Sequence, residues 1–156
     1  MAEEKFERAQ KVYETLCANL DSKKWHYENN DEELKIECGV QGDDLPMELT
    51  IKIDVNRQLI MLLSHLPFVV SEDKRFDVAI ATSVVNNGLV DGSFDFDITN
   101  GHMFFRMTSS FIESDIGSEL FTYMISVSCA TIDEYNDKIF MLAKGMMSIE
   151  DFMNKE

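Results

Sequence analysis

Apolar and polar side chains alternate in two separate blocks of this sequence, as they do in half-buried β-strands. The first block contains four candidate strands and the second contains two, with helical spacing of apolar residues before, between and after the blocks. The candidate strands are residues 25–27, 34–40, 47–55, 59–63, 94–98 and 103–107. Strands that follow one another through short turns pair antiparallel, so this grouping excludes a doubly wound parallel fold.

Three amphipathic helices are predicted around the two blocks. They are residues 2–21, 76–89 and 116–145. Ser71 stands where a helix cap is expected, and Asn86-Asn87-Gly88 is typical of a helix end with a left-handed residue. Residues 148–151 resemble a capping box that opens a final short turn. The predicted fold class is α+β, an antiparallel sheet flanked by helices, in the order α-β-β-β-β-α-β-β-α.

The chain length and its charge limit the partners that we expect. A chain of 156 residues predicts one domain, residues 1–156. With 14 Lys and Arg against 29 Asp and Glu, the formal net charge is −15 at pH 7. So acidic a chain lacks the positive surface that neutralises phosphates, and we therefore predict no nucleic acid and no anionic membrane as a partner.

Several features indicate a cytoplasmic protein. Residues 1–8 are charged and no apolar stretch follows them, which is unlike a secretory signal. The densest apolar run, residues 59–70, is interrupted by polar residues and is shorter than the roughly 20 residues that span a bilayer. Three cysteines on apolar faces are interpreted as buried thiols in a reducing compartment: Cys17, Cys38 and Cys129.

The sequence contains no GxSxG, GxGxxG or HExxH motif, and its three histidines, His26, His65 and His102, are far apart. We therefore predict a protein that is not an enzyme and that has no cofactor and no metal. One alternative stays open. Asp43 and Asp44, in a connection before Pro46, or a histidine could contact a small ligand or cation, which would make the chain a sensor domain.

Two predicted elements are apolar on both sides. The strand 59–63 presents aliphatic side chains to each face, and the helix 76–89 is apolar nearly all round. In so small a domain, either the chain's own helices or another subunit must cover the second side. We predict contacts with protein, in a homodimer or with a partner, at Ile60, Leu62, Val78 and Val85.

Acidic residues are concentrated in the second half of the chain. Between Arg75 and Lys138 the only basic residue is Arg106, against ten acids. These acids form either a solvated shell or an acidic platform for a basic partner segment.

Several short runs are distinctive in combination. They are Gly42-Asp43-Asp44-Leu45-Pro46, Leu66-Pro67-Phe68 before residues 72–75, and Asn86-Asn87-Gly88-Leu89-Val90 with Gly92, Phe94 and Asp97. In this order, over roughly residues 25–145, the chain resembles the YbjN domain family, whose members are described as candidate regulators of bacterial sensory transduction. The resemblance implies a fold similar to the class I type III secretion chaperones, which are small, acidic, homodimeric proteins that hold a partner's extended segment. It implies no catalytic residue.

Together these observations predict a protein-binding module that acts as a regulator of sensory transduction or as a chaperone-like adaptor. The alternative is the sensor domain for a small ligand or metal ion.

Overall fold

The computed structural model describes residues 1–154 of the chain; residues 155 and 156, the end of the predicted domain 1–156, lie outside the described part. The helices lie where apolar residues recur at three- and four-residue steps in the sequence. They are α1 (Ala2–Ser22), α2 (Arg75–Gly88), α3 (Ser118–Ala143) and α4 (Ile149–Asn154). A single 3₁₀ turn, Glu72–Lys74, precedes α2.

The strands form one antiparallel sheet with the order β1-β2-β3-β4-β6-β5. They are β1 (Glu28–Asn30), β2 (Lys35–Gln41), β3 (Pro46–Asp54), β4 (Leu59–His65), β5 (Ser93–Phe96) and β6 (Met103–Ser110). The predicted fold class and element order are confirmed.

The sheet has one covered face and one open face. Along β3 the side chains of Met47, Leu49, Ile51 and Ile53 are buried, while those between them are exposed or half-buried. The same alternation continues through β2, β4 and β6, and the covered side chains join those of α1, α2 and α3 in one core. The helices therefore occupy one side of the sheet, and the other side faces solvent.

The first strand is displaced from its prediction. Residues 25–27 were expected to be the strand and Asn29-Asn30-Asp31 its turn, but β1 is Glu28–Asn30. The Trp25 amide bonds the Leu20 carbonyl at 3.1 Å, which holds Trp25 at the end of α1. Pairing with β2 then begins only at Glu28.

Both predicted ends of α2 were wrong in detail. The Ser71 hydroxyl donates to the Asp73 carboxylate at 2.7 Å and caps no backbone amide. Gly88 is the last helical residue, and Leu89 follows with φ −87°, so no left-handed residue ends the helix. The Asn86 Nδ2 donates a hydrogen bond to the Phe94 carbonyl oxygen, and the Asn86 Oδ1 accepts one from the Phe94 N–H, each at 2.8 Å. Asn86 thereby closes the free edge of β5 at Phe94.

The sequence prediction for α4 is confirmed, since the Asp151 amide bonds the Ser148 hydroxyl oxygen at 3.1 Å. None of the helices within residues 1–154 combines the length and the apolar content that a bilayer crossing needs.

Candidate protein-binding surface

The four side chains predicted to contact a protein lie in the chain's own core. Ile60 and Leu62 on β4 and Val78 on α2 have no exposed surface, and Val85 is 1% exposed. Burial within one chain leaves these four side chains no surface for a partner, and the exposed apolar side chains are on the opposite sides of the same two elements. The sequence pattern showed two apolar sides, but not which of them the helices cover.

The opposite side of β4 belongs to the open face of the sheet. Leu59, Met61 and Leu63 point outward there and are half-buried. Their cross-strand neighbours on β3 are Asp54, Lys52 and Thr50, and those on β6 are Ser110, Thr108 and Arg106. Phe104 extends the apolar surface and packs beside His65 with ring centroids 5.4 Å apart. We call Leu59, Met61 and Leu63 the aliphatic strip.

The opposite side of α2 is also apolar. Phe76 is 77% exposed and Ile80, one turn later, is 48% exposed. The helix turns Val78, Ala81, Thr82 and Val85 toward the core, so the interpretation that α2 is buried on more than one side is wrong for the single chain.

A groove of about 650 Å³ opens on the uncovered side of the sheet, beside the aliphatic strip. Its polar walls are three glutamates and two histidines: Glu28, Glu37, Glu48, His26 and His65. Gly39 lies between them on β2, directly opposite Glu48 on β3. We call this the acidic groove. Nothing in the sequence distinguishes these glutamates from other exposed acids except the outward register of each strand.

Several acids of the second half of the chain, by contrast, have partners elsewhere in the described part of the chain. Asp95 pairs with Arg106 at 2.9 Å, Asp91 accepts a hydrogen bond from the Tyr123 hydroxyl, and Asp133 accepts one from the Asp43 amide at 2.8 Å. These three acids are therefore paired within the chain, whereas others of the ten, such as Glu113 and Glu134, are exposed to solvent.

The residues proposed as ligand contacts lie in three separate places: Asp43 and Asp44 between β2 and β3, His26 and His65 in the acidic groove, and His102 before β6. A hydrogen bond with Asp133 is the largest of the causes that raise the pKa of the Asp43 carboxyl; repulsion by Asp133 comes next. Asp44 adds a smaller repulsion. His26 and His65 line the acidic groove, whereas His102 follows the turn between β5 and β6. Within residues 1–154, no three His, Cys, Asp or Glu side chains are arranged to hold a metal ion.

Of the three cysteines interpreted as buried thiols, Cys38 is buried, whereas Cys17 and Cys129 are half-buried. Burial raises the pKa of the Cys38 thiol to about 11, and burial is also the largest cause of the raised pKa values of Cys17 and Cys129. A raised pKa leaves little thiolate at neutral pH, which makes these side chains poor nucleophiles.

Three solved structures of other proteins have a fold similar to this six-stranded antiparallel sheet with helices on one face. One is YbjN of E. coli, described as a candidate transcription regulator: 15% identity, TM-score 0.58, 81% of this chain and 92% of that one. A second is the ExsC–ExsE complex, with 16% identity, TM-score 0.58 and the same two coverages. A third is the HopA1–SchA chaperone–effector complex: 12% identity, TM-score 0.55, covering 83% and 93%.

Identities this low show a shared fold. The predicted likeness to YbjN and to type III secretion chaperones is therefore confirmed for the fold. No family model and no curated protein matches the chain.

Proposed function

We propose that this chain is a protein-binding module, a chaperone-like adaptor or regulator that acts in the cytoplasm without catalysing a reaction. The observation that carries the proposal is the aliphatic strip, a row of half-buried apolar side chains on a sheet face that none of the described helices covers. Two of the similar structures are complexes with another protein, which supports the proposal at the level of the fold.

The strip suits an extended partner segment better than a small molecule. Its side chains lie along one strand, two residues apart, so they form a row rather than a closed pocket. A partner segment laid across the row would bury them, and burial of apolar area is the main favourable contribution to protein association.

The proposal includes a homodimer formed through the exposed side of α2. Phe76 and Ile80 are one turn apart on that side, and two copies related by a twofold axis would each bury the pair against the other. Light scattering on the purified chain at micromolar concentration should give the mass of a dimer. Phe76→Glu combined with Ile80→Glu should give a monomer, and a monomeric parent protein would contradict this part of the proposal.

Binding is tested by affinity capture from native extract with a matched pair of variants. Met61→Glu puts a charge into the aliphatic strip, whereas Val90→Glu puts one at a loop residue that is 96% exposed. We expect a discrete protein to be retained by the parent chain and by Val90→Glu, and to be lost with Met61→Glu. The purified protein should then bind directly in calorimetry. Retention of the same proteins by both variants, or of none by the parent chain, would overturn the proposal.

A further inference from the structure

The acidic groove contains a pair of like charges that the sheet register forces together. Glu28 on β1 is directly opposite Glu37 on β2, and both side chains point to the open face. Directly opposed like charges on neighbouring strands destabilise a sheet. Glu48 on β3 adds a third carboxylate to the same depression.

The chain's own basic residues neutralise only part of this charge. Lys35 is 3.4 Å from Glu37, but it is also 3.4 Å from Glu33, so one ammonium group is shared between two carboxylates. Within residues 1–154, neither Glu28 nor Glu48 forms an ion pair. The groove therefore retains an excess of negative charge on the side of the sheet that faces solvent.

Gly39 provides the space in the groove. A Cβ atom built on Gly39 would have the Met47 carbonyl oxygen, 4.0 Å away, as its nearest neighbour. A side chain is therefore tolerated at this position, and its absence leaves room directly opposite Glu48. A lysine or arginine side chain that enters from solvent would lie within reach of the three carboxylates.

The acidic groove and the aliphatic strip share one row of the sheet. Glu37 pairs with Thr50, and Thr50 pairs with Leu63 of the strip. Two strand spacings amount to about 10 Å, a distance that an extended chain covers in about three residues. One short segment can therefore reach both.

We propose that the open sheet face binds an extended partner segment that places a lysine or arginine side chain in the acidic groove at Gly39 and apolar side chains on the aliphatic strip. This inference rests on the proposed protein-binding function and specifies the chemistry of the partner. The net charge of −15 on each copy disfavours a second copy of this chain as the occupant of the groove.

The test uses fluorescence anisotropy with a labelled ten-residue peptide. Serine alternates with the side chains that face the sheet, and these are two arginines followed by three leucines. A second peptide has citrulline in place of each arginine, which keeps the shape and removes the charge. We expect the arginine peptide to bind at least tenfold more tightly than the citrulline peptide. The difference should shrink as salt is raised, since the groove is open to solvent.

Two sets of variants with equal charge separate groove binding from diffuse attraction to an acidic protein. The first is Glu28→Gln, Glu37→Gln and Glu48→Gln together. The second changes three exposed glutamates that form no ion pair with any of residues 1–154: Glu14, Glu113 and Glu134, each to Gln. We expect the first set to weaken binding of the arginine peptide at least tenfold and the second set to weaken it less than threefold. Equal losses in the two sets would overturn the inference.

Occupation of the groove gives an independent measurement. Gly39→Trp should fill the space and abolish arginine-dependent binding, whereas Gly39→Ala should leave most of it. Circular dichroism and thermal unfolding of each variant show whether the fold is retained. If Gly39→Trp folds and binds the arginine peptide as before, the groove is not the subsite.

The same variants distinguish failure of this inference from failure of the proposed function. A captured protein that binds the parent chain and the glutamine variants equally, but not Met61→Glu, refutes the basic subsite and leaves the protein-binding function in place. Loss of every specific protein, with no binding of the arginine peptide, refutes both.

Discussion

Replacement of Asn136 by leucine should stabilise this protein, although it changes a completely buried residue. Asn136 lies on α3 with no exposed surface, and neither its Nδ2 nor its Oδ1 has a hydrogen-bond partner within residues 1–154. Burying an amide without a partner costs about 1–3 kcal/mol. Leucine has nearly the same shape, has no polar atoms, and is the better helix former by a few tenths of a kcal/mol.

We therefore expect Asn136→Leu to raise the free energy of unfolding by about 1–3 kcal/mol. At roughly 2–4 °C per kcal/mol for a chain of this length, the midpoint of thermal unfolding should rise by roughly 2–12 °C. Urea unfolding followed by far-ultraviolet circular dichroism measures the difference, and an unchanged slope against urea shows that the unfolded state is not affected.

Asn19 on α1 provides the matched control, because it is a second asparagine, 97% buried, whose Nδ2 is bonded, although its Oδ1 has no hydrogen-bond partner within residues 1–154. Its Nδ2 is 3.0 Å from the Ser118 carbonyl oxygen, 2.8 Å from the Ser118 hydroxyl and 2.9 Å from the Thr122 hydroxyl. Asn19→Leu removes these contacts between α1 and α3 and should lower the free energy of unfolding by about 1–3 kcal/mol. Destabilisation of similar size by both substitutions would refute the reasoning, since it would mean that Asn136 is bonded as Asn19 is.

Four further outcomes follow from single positions. Gly101 has φ +80°, and a Cβ there would meet the Val70 carbonyl oxygen at 2.2 Å, so Gly101→Ala should lower the urea-derived free energy of unfolding by at least about 1–3 kcal/mol. A Cβ atom at Gly88 would have no neighbour within 4 Å among residues 1–154, so Gly88→Ala should raise the free energy of unfolding by about 0.4–1 kcal/mol. Asp133→Asn should lower the pKa of Asp43 toward its ordinary value in carboxyl NMR titration, because Asp133 is the largest cause of its rise. A carboxyl whose pKa is raised in the folded state stabilises the fold below its unfolded pKa of 3.8, and this stabilisation is lost as pH rises through the folded pKa. The Asp133→Asn variant should therefore lose less stability than the parent chain between these two pKa values. An aromatic disulfide reagent at pH 8 should label Cys38 far more slowly in the native protein than in urea, because burial raises its pKa to about 11.

Most of the secondary structure followed from local patterns. The apolar periods of α1 and α3 and the alternation along β2, β3 and β6 are strong and long, so these elements lie close to where they were predicted. The predicted element ends were wrong where a contact with a residue distant in the sequence determines the local structure. The register with β2 sets β1, and Phe94 on β5 engages the Asn86 side chain that was interpreted as part of a helix cap.

The candidate surface was less predictable than the fold. The alternation along β4 identified two apolar rows, Leu59, Met61 and Leu63 on one side and Ile60 and Leu62 on the other. Both rows have similar hydrophobicity, so no property of the strand itself indicates which of them is covered. The helices are docked on the side of Ile60 and Leu62, and only that docking leaves the other row facing solvent.

The amino-acid sequence by itself determined the order of helices and strands, the antiparallel class of the sheet and the acidic character of the chain, because each depends on neighbouring residues or on composition. Only the tertiary structure decided which sheet face is open and where carboxylates meet. Glu28, Glu37 and Glu48 are 9 to 20 positions apart in the chain and share one groove because three strands pair in a particular register. Register is a property of two strands together, and for this reason the groove is visible only in the folded protein.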